Sequence, residues 1–557
     1  MRIRSLGTRF AIPCVAVGLI LTGCSSDGGD FTPGSATIGS TNDINPRDVA
    51  DLREGGNLRL VLSSFPETFN YLHVDGASDS TSEVISPVLP SPFSSDAAGE
   101  LSIDHDYFTD IQLTGTDPQQ VTYTINPKAV WSDGTPITWE DFAAQAAALS
   151  GRDPAYLVAF TSGFERVEKV ERGVDDRQVV VTFNQPYAEW QGQFSPLYPK
   201  ATTETPEAFN DRDRNGLAVS AGPFQVSGID RGQNRITLNR NPSWWGDTPK
   251  LDTITLSVLD STAWLPAIQN NELDIAYMSG IENVTGAKQA AGVVLRRTPE
   301  PSWSHITFNG APGSLLEDPK VRIAISKAID RQGIVNASQN GVVDDPKPLN
   351  NHIFMQGQKG YQDNSAPIAF DPDGAAAMLD DLGWKLNGDV REKDGRRLEL
   401  RNVMYQQDGW VQTAQIVQQN LAQIGVKMSI ETVPGSGLFK NVIDPGNFEL
   451  AQFTWGGSVL PLSALPQIYA YDPNNLQSNK ARIGSPELNA LIDRTVSELD
   501  PDKARELANE CDQVIFAEGY SIPLQQASGT YAVRENLANY GAFGLASPDY
   551  TKVGFLR

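Results

Sequence analysis

Apolar positions recur with two different periods from residue 57 to residue 525. Period-two alternation or short apolar runs predict strands at Leu58–Leu62, Val121–Ile125, Val179–Phe183, Ile236–Leu238, Ile254–Leu259, Ile306–Phe308 and Val426–Ile430. Helix starts are marked by an Asp or Ser cap followed by proline, at Asp318-Pro319, Asp371-Pro372, Ser485-Pro486 and Asp500-Pro501. Proline suits the first helical position because the N–H it lacks would have no intrahelical partner there. Thr138 and Asp141 have capping-box spacing. Trp410, Ala414, Val417, Leu421 and Ile424 form one apolar helix face, which stops at Gly425 and leads into the Val426 strand. Interleaved strands and helices predict a mixed α/β fold.

Two N-terminal stretches break this pattern. Arg2, Arg4 and Arg9 precede or border an apolar run from Phe10 to Leu21, too short to span a membrane as a finished helix. Leu21-Thr22-Gly23-Cys24-Ser25 resembles the bacterial lipobox. The resemblance implies that residues 1–23 are a signal peptide and that Cys24 is lipidated, anchoring the protein at the extracytoplasmic face of the cell membrane. An ordinary secretory signal ending at a cysteine is the alternative. Residues 24–56 then read as a flexible tether, rich in Ser, Gly, Asp, Thr and Asn and without apolar period. A coil of about thirty residues reaches roughly 30 Å.

Charge narrows the partners. Without residues 1–23 the chain has 41 Lys+Arg against 68 Asp+Glu, a formal charge of −27. Such a chain repels nucleic-acid phosphates and anionic membrane surfaces. A mature length of about 530 residues exceeds one ordinary core and implies two or three lobes. Of three cysteines, Cys14 leaves with the signal and Cys24 is the lipid site, so Cys511 has no disulfide partner. It lies on the apolar stripe of a helix with Ala504, Leu507, Val514 and Ile515, as a small core residue.

Catalytic signatures are missing. The four histidines, at 73, 105, 305 and 352, have no metal-ligand spacing, and no P-loop, dinucleotide fingerprint or nucleophile elbow occurs. Asp211-Arg212-Asp213-Arg214-Asn215-Gly216 copies half of a calcium loop, but Gly222 stands where the bidentate glutamate belongs. Asp104-His105-Asp106 reads as an exposed polar loop. No metal, cofactor or enzymatic activity is expected.

Six ordered motifs resemble the solute-binding proteins of peptide and oligopeptide ABC importers, family 5. They are Ala129-Val130-Trp131-Ser132-Asp133-Gly134-Thr135-Pro136; Ala221-Gly222-Pro223-Phe224 with Asn241-Pro242, Trp244-Trp245-Gly246 and Pro249-Lys250-Leu251-Asp252; Glu272-Leu273-Asp274-Ile275; Phe308-Asn309 with Asp318, Val321-Arg322 and Ala328-Ile329-Asp330-Arg331; Phe370-Asp371-Pro372 through Leu382-Gly383-Trp384; and Leu421 to Val426. The resemblance implies a bilobal, type II periplasmic-binding-protein-like fold with an additional inserted domain. Lobe I would comprise 57–76, 218–305 and 525–557; the inserted domain 77–217; the opposing lobe 306–524. Phe308-Asn309 and Gln525-Gln526 would mark two hinge crossings, and closure over a ligand follows from such hinges. The ligand would be a peptide held mainly through its backbone, and the partners an ABC permease and its separate ATPase, with the receptor itself a monomer.

One departure stands out. Relatives carry an aspartate shortly before a proline, where it pairs with the ligand's α-ammonium. The matching stretch is Phe453-Thr454-Trp455-Gly456-Gly457-Ser458-Val459-Leu460-Pro461, with Gly457 in the aspartate's place. Either another acid substitutes, Asp408 being the candidate, or the ligand lacks a free amine. Phe69, Asn70, Tyr71, Trp303, Trp455, Gly456 and Gly457 are the other candidate cleft residues, with core packing the competing account for each aromatic. A non-peptide ligand (metal chelate, glycan or glycopeptide) and a regulatory envelope lipoprotein without transport role are the rival readings.

Overall fold

The apolar alternation resolves into two four-stranded sheets and one five-stranded sheet in a computed structural model that describes residues 41–161, 163–434 and 437–557. The signal segment, Cys24 and the tether as far as residue 40 lie outside the described residues. All described residues belong to one compact unit.

In the first sheet, Asn57–Leu62 lies parallel to Thr253–Val258, followed by antiparallel Arg235–Arg240 and Phe224–Asp230. Leu58, Leu60 and Leu62 point inward while Asn57 and Arg59 face out, as a half-buried strand requires. The second sheet is wholly antiparallel, in the order Phe108–Thr116, Gln119–Ile125, Gln178–Phe183, Val167–Arg172. These sheets belong to one continuous core, in which Leu60, Ile236 and Leu256 join Val121, Tyr123 and Phe142.

The five-stranded sheet runs Lys427–Val433, Glu399–Tyr405, Leu450–Trp455, Trp303–Phe308, Ser521–Gln526. Glu399–Tyr405 and Lys427–Val433 are parallel, so the intervening helix Asp408–Gln423 is a crossover of the βαβ kind. It buries Ala414, Val417 and Leu421. Gly425 adopts φ +74°, a left-handed conformation that lets the helix end at Gln423 and the next strand begin at Lys427, only three residues between them. The capping signals act as the sequence implies. Asp318, Asp371, Ser485 and Asp500 each accept from backbone N–H groups of the helix they open, and Thr138 and Asp141 form a reciprocal capping box.

The expected tether is shorter than 24–56. Asp43 pairs with Arg296 at 2.8 Å and accepts from the Arg297 N–H, and Leu52 is fully buried. An apolar residue with a buried docking site outweighs the polar composition around it, so the chain is attached to the body from Asp43 onward. Among the described residues no helix is long and apolar enough to cross a membrane.

Candidate ligand cleft

The chain passes twice between a three-stranded sheet (Ile275–Tyr277, Thr530–Arg534, Val293–Arg297) and the five-stranded sheet. One passage links Arg297 to Trp303, the other Gln526 to Thr530. They run side by side: the Glu300 N–H donates to Ala527 O at 3.2 Å, the Ala527 N–H to Ser302 O at 2.9 Å, and Gln526 Nε2 to Glu300 O at 2.9 Å. Glu300 is thus held by its backbone at the junction of both passages.

Gly457 abuts this junction. A β-carbon there would lie 2.2 Å from the Pro301 carbonyl oxygen, far inside contact distance, so no side chain fits. The residue before that carbonyl is Glu300. Its carboxylate accepts from the Tyr531 hydroxyl. Burial pushes the Glu300 carboxyl up, the Tyr531 hydrogen bond opposes this, and the Asp79 charge adds to it.

Asp79 and Glu83 form an acidic cluster with Glu300, each within reach of another's charge. Both lie on the Asp79–Ile85 helix, one turn apart. Glu83 is solvent-accessible, yet its carboxyl is pushed up to about 7, by desolvation first and then by Asp79 and Glu300. Desolvation likewise raises Asp79. Among the described residues none of the three carboxyls has an ion-pair partner. Tyr71, Tyr277 and Tyr531 border it, each half-buried and each feeling the charge of Asp79 or Glu300.

The sequence candidates separate into two groups. Trp455 pairs with Trp303 across the sheet, is half-buried, and stacks on His305 at 5.8 Å and 9°. Gly456 is exposed, with open space where a β-carbon would be. Tyr71, Trp455, Gly456 and Gly457 therefore present surface. Phe69 and Asn70 are fully buried: Asn70 donates to Phe209 O at 2.8 Å and accepts from the Leu72 N–H, which makes it a turn scaffold. Trp303 is 3% exposed, packed with Leu349, Met355 and Leu545. Phe308 and Asn309, expected at the first crossing, sit at the far end of the strand from Gln525 and Gln526, which face Ser304 and Trp303. Phe308 is buried because it continues the period-two pattern into the sheet core, and Asn309 holds the Gly446 and Phe448 carbonyls. Asp408 opens its helix, and its side chain lies outside the described residues. Cys511 is buried, its thiol pushed up to about 11 by desolvation, the state of an unreactive core residue.

A family model for bacterial extracellular solute-binding proteins, family 5 middle, matches residues 112–477. The chain belongs to this family. The oligopeptide-binding protein OppA of Mycobacterium tuberculosis (strain ATCC 25618 / H37Rv) is 52% identical over 551 residues, covering 98% of this chain and 93% of OppA. Among solved structures, a periplasmic EDTA-binding protein, EppA, superposes with a TM-score of 0.85 at 24% identity, covering 93% of this chain and 99% of EppA. The Bacillus subtilis oligopeptide-binding protein AppA, in complex with a nonapeptide, gives 0.80 at 20% identity, covering 91% and 100%. The bilobal type II architecture is therefore that of this family 5 protein.

In this family 5 protein the chain flanking the second sheet also touches residues between 462 and 497. Glu189 accepts from the Leu462 N–H at 2.9 Å and the Ser463 N–H at 2.6 Å, the Ala188 N–H donates to Val496 O at 2.8 Å, and Arg166 reaches Asp493 and Ser497. Burial pushes the Glu189 carboxyl up to about 7 against the pull of those N–H groups. Sequence reasoning missed Asp79, Glu83, Glu300 and Glu189. The one available signal was Asp79 and Glu83 four residues apart, a like-charge helical pair that costs stability unless something positive is to meet it.

Proposed function

We propose that the chain is an extracytoplasmic receptor that captures a peptide or oligopeptide between its lobes and delivers it to an ABC permease driven by a separate ATPase. The observation that carries this reading is the cluster of Glu300, Asp79 and Glu83, three carboxyls without an ion-pair partner among the described residues, next in sequence to the junction where the Pro301 carbonyl fills the place of a side chain at 457. Glu300, with Asp79 and Glu83, receives the peptide's α-ammonium or a basic side chain, and Trp455, Gly456 and Gly457 line the path of its backbone. The 52% identity with an oligopeptide-binding protein and the fold shared with a nonapeptide complex support the same ligand class. Three carboxyls without ion-pair partners among the described residues argue against an anionic chelate, whatever the fold shared with EppA.

Lobe I takes 57–76, about 218–302 and 527–557, the inserted domain 77–217, and the opposing lobe about 303–526. The hinge lies at Glu300–Ser302 and Ala527–Ser528, and Gln525 and Gln526 flank it. Acylation at Cys24 holds the receptor, a monomer, on the cell membrane. The receptor performs no chemistry on its ligand. Mass spectrometry of small molecules released by denaturing the purified, never-refolded protein tests the reading: a ladder of short peptides is expected, and a single non-peptide species contradicts it.

A further inference from the structure

A separate cavity of about 380 Å³ opens on the first lobe, lined by Arg53, Asn57, Arg59, Asn271, Asp274, Arg534, Asn536 and Phe555. Three guanidinium groups face one carboxylate, in a chain whose formal charge is −24. That carboxylate is already engaged: Arg59 Nε donates to Asp274 Oδ2 at 3.0 Å, and Arg59 Nη2 forms the ion pair with Oδ1. Arg534 is 9% exposed, and its terminal nitrogens donate to the Ala291 and Ile268 carbonyls rather than to an acid, while its Nε has no acceptor among the described residues. Arg53 lies over the Phe555 ring, 5.0 Å from the centroid, and forms no ion pair among the described residues.

A buried guanidinium without a carboxylate partner is costly unless an anion meets it. Desolvation does lower Arg534, with Asp274 holding its charged form and Arg59 opposing it. The lining residues sum to two uncompensated positive charges, which matches an oxyanion. Guanidinium forks fit tetrahedral phosphate oxygens. The volume exceeds that of bare phosphate, and the amide N–H₂ groups of Asn57, Asn271 and Asn536 have no acceptor among the described residues, leaving donors for attached hydroxyl or ester oxygens.

We propose that this cavity binds a phosphate group, either free or as part of a phospholipid head group, at a site independent of the ligand cleft. Isothermal titration of the full chain with inorganic phosphate and with glycerophosphoglycerol, the deacylated head group of an anionic lipid, tests it at constant ionic strength. Saturable one-site binding is expected, weakened at least tenfold by Arg53→Gln and by Asn536→Asp, with peptide binding unchanged in both. Tighter binding of glycerophosphoglycerol assigns the head-group source, and tighter binding of inorganic phosphate the free anion. Absence of saturable binding by either probe, or binding that neither variant changes, overturns the proposal.

Discussion

Position 457 shows how one residue's geometry sets the chemistry around it. With the Pro301 carbonyl 2.2 Å from a β-carbon, Gly457→Asp is expected to disrupt the junction of the two passages instead of restoring an ammonium site. Its melting temperature should fall by several degrees and its peptide affinity should not rise; improved affinity at unchanged stability would contradict the packing argument. Trp455→Ala, by contrast, removes a half-buried ring that stacks on a neutral histidine, His305 being held down to about 3 by burial. It should weaken peptide binding far more than it lowers the melting temperature, and equal losses would mark Trp455 as core. Gly457 and Trp455 were legible in the sequence as an anomaly and a candidate. Glu300, the acid we propose in its place, was not, because it lies more than 150 residues away and only the sheet register brings Pro301 against Gly457.

Elements were more legible than contacts between them. Caps, prolines and apolar stripes are local properties, so the helices beginning at Pro319, Pro372, Pro486 and Pro501 start where the sequence puts them. Asp500 caps an eighteen-residue helix through the Asp502 and Lys503 N–H groups. Asp500→Ala is expected to cost about 1 kcal/mol in denaturant unfolding. Passages between sheets are non-local: Phe308, expected at a crossing, is buried at the other end of its strand, while the two passages pair side by side at Glu300 and Ala527. The contact through Glu189 is also invisible to periodicity. Its carboxyl titrates near 7 in the folded protein against 4.5 ordinarily, so the folded state binds more protons between those values. Stability from this group is present at low pH and is lost as pH rises through 7. Glu189→Gln should flatten the fall in melting temperature between pH 5 and pH 8; an unchanged slope would remove Glu189 from the account.

At the scale of the whole molecule, ligand charge and cleft charge have to agree. A cationic ligand group favours the ionised forms of Glu83 and Glu300, both raised by desolvation in the free protein. Binding should therefore release protons, and affinity should increase as pH rises from 5 to 8, with calorimetric heats that depend on the buffer's ionisation enthalpy. A ligand anionic at its binding end would reverse that trend. The most direct measurement compares one peptide with free and with acetylated N-terminus, titrated into the wild-type chain and into Glu300→Gln. The account predicts that acetylation weakens binding to the wild type at least tenfold and that Glu300→Gln removes most of that preference while leaving the melting temperature nearly unchanged. Equal affinity for both peptides in the wild-type chain, or a preference that survives Glu300→Gln intact, would contradict the assignment of Glu300 as the carboxylate that Gly457 cannot provide.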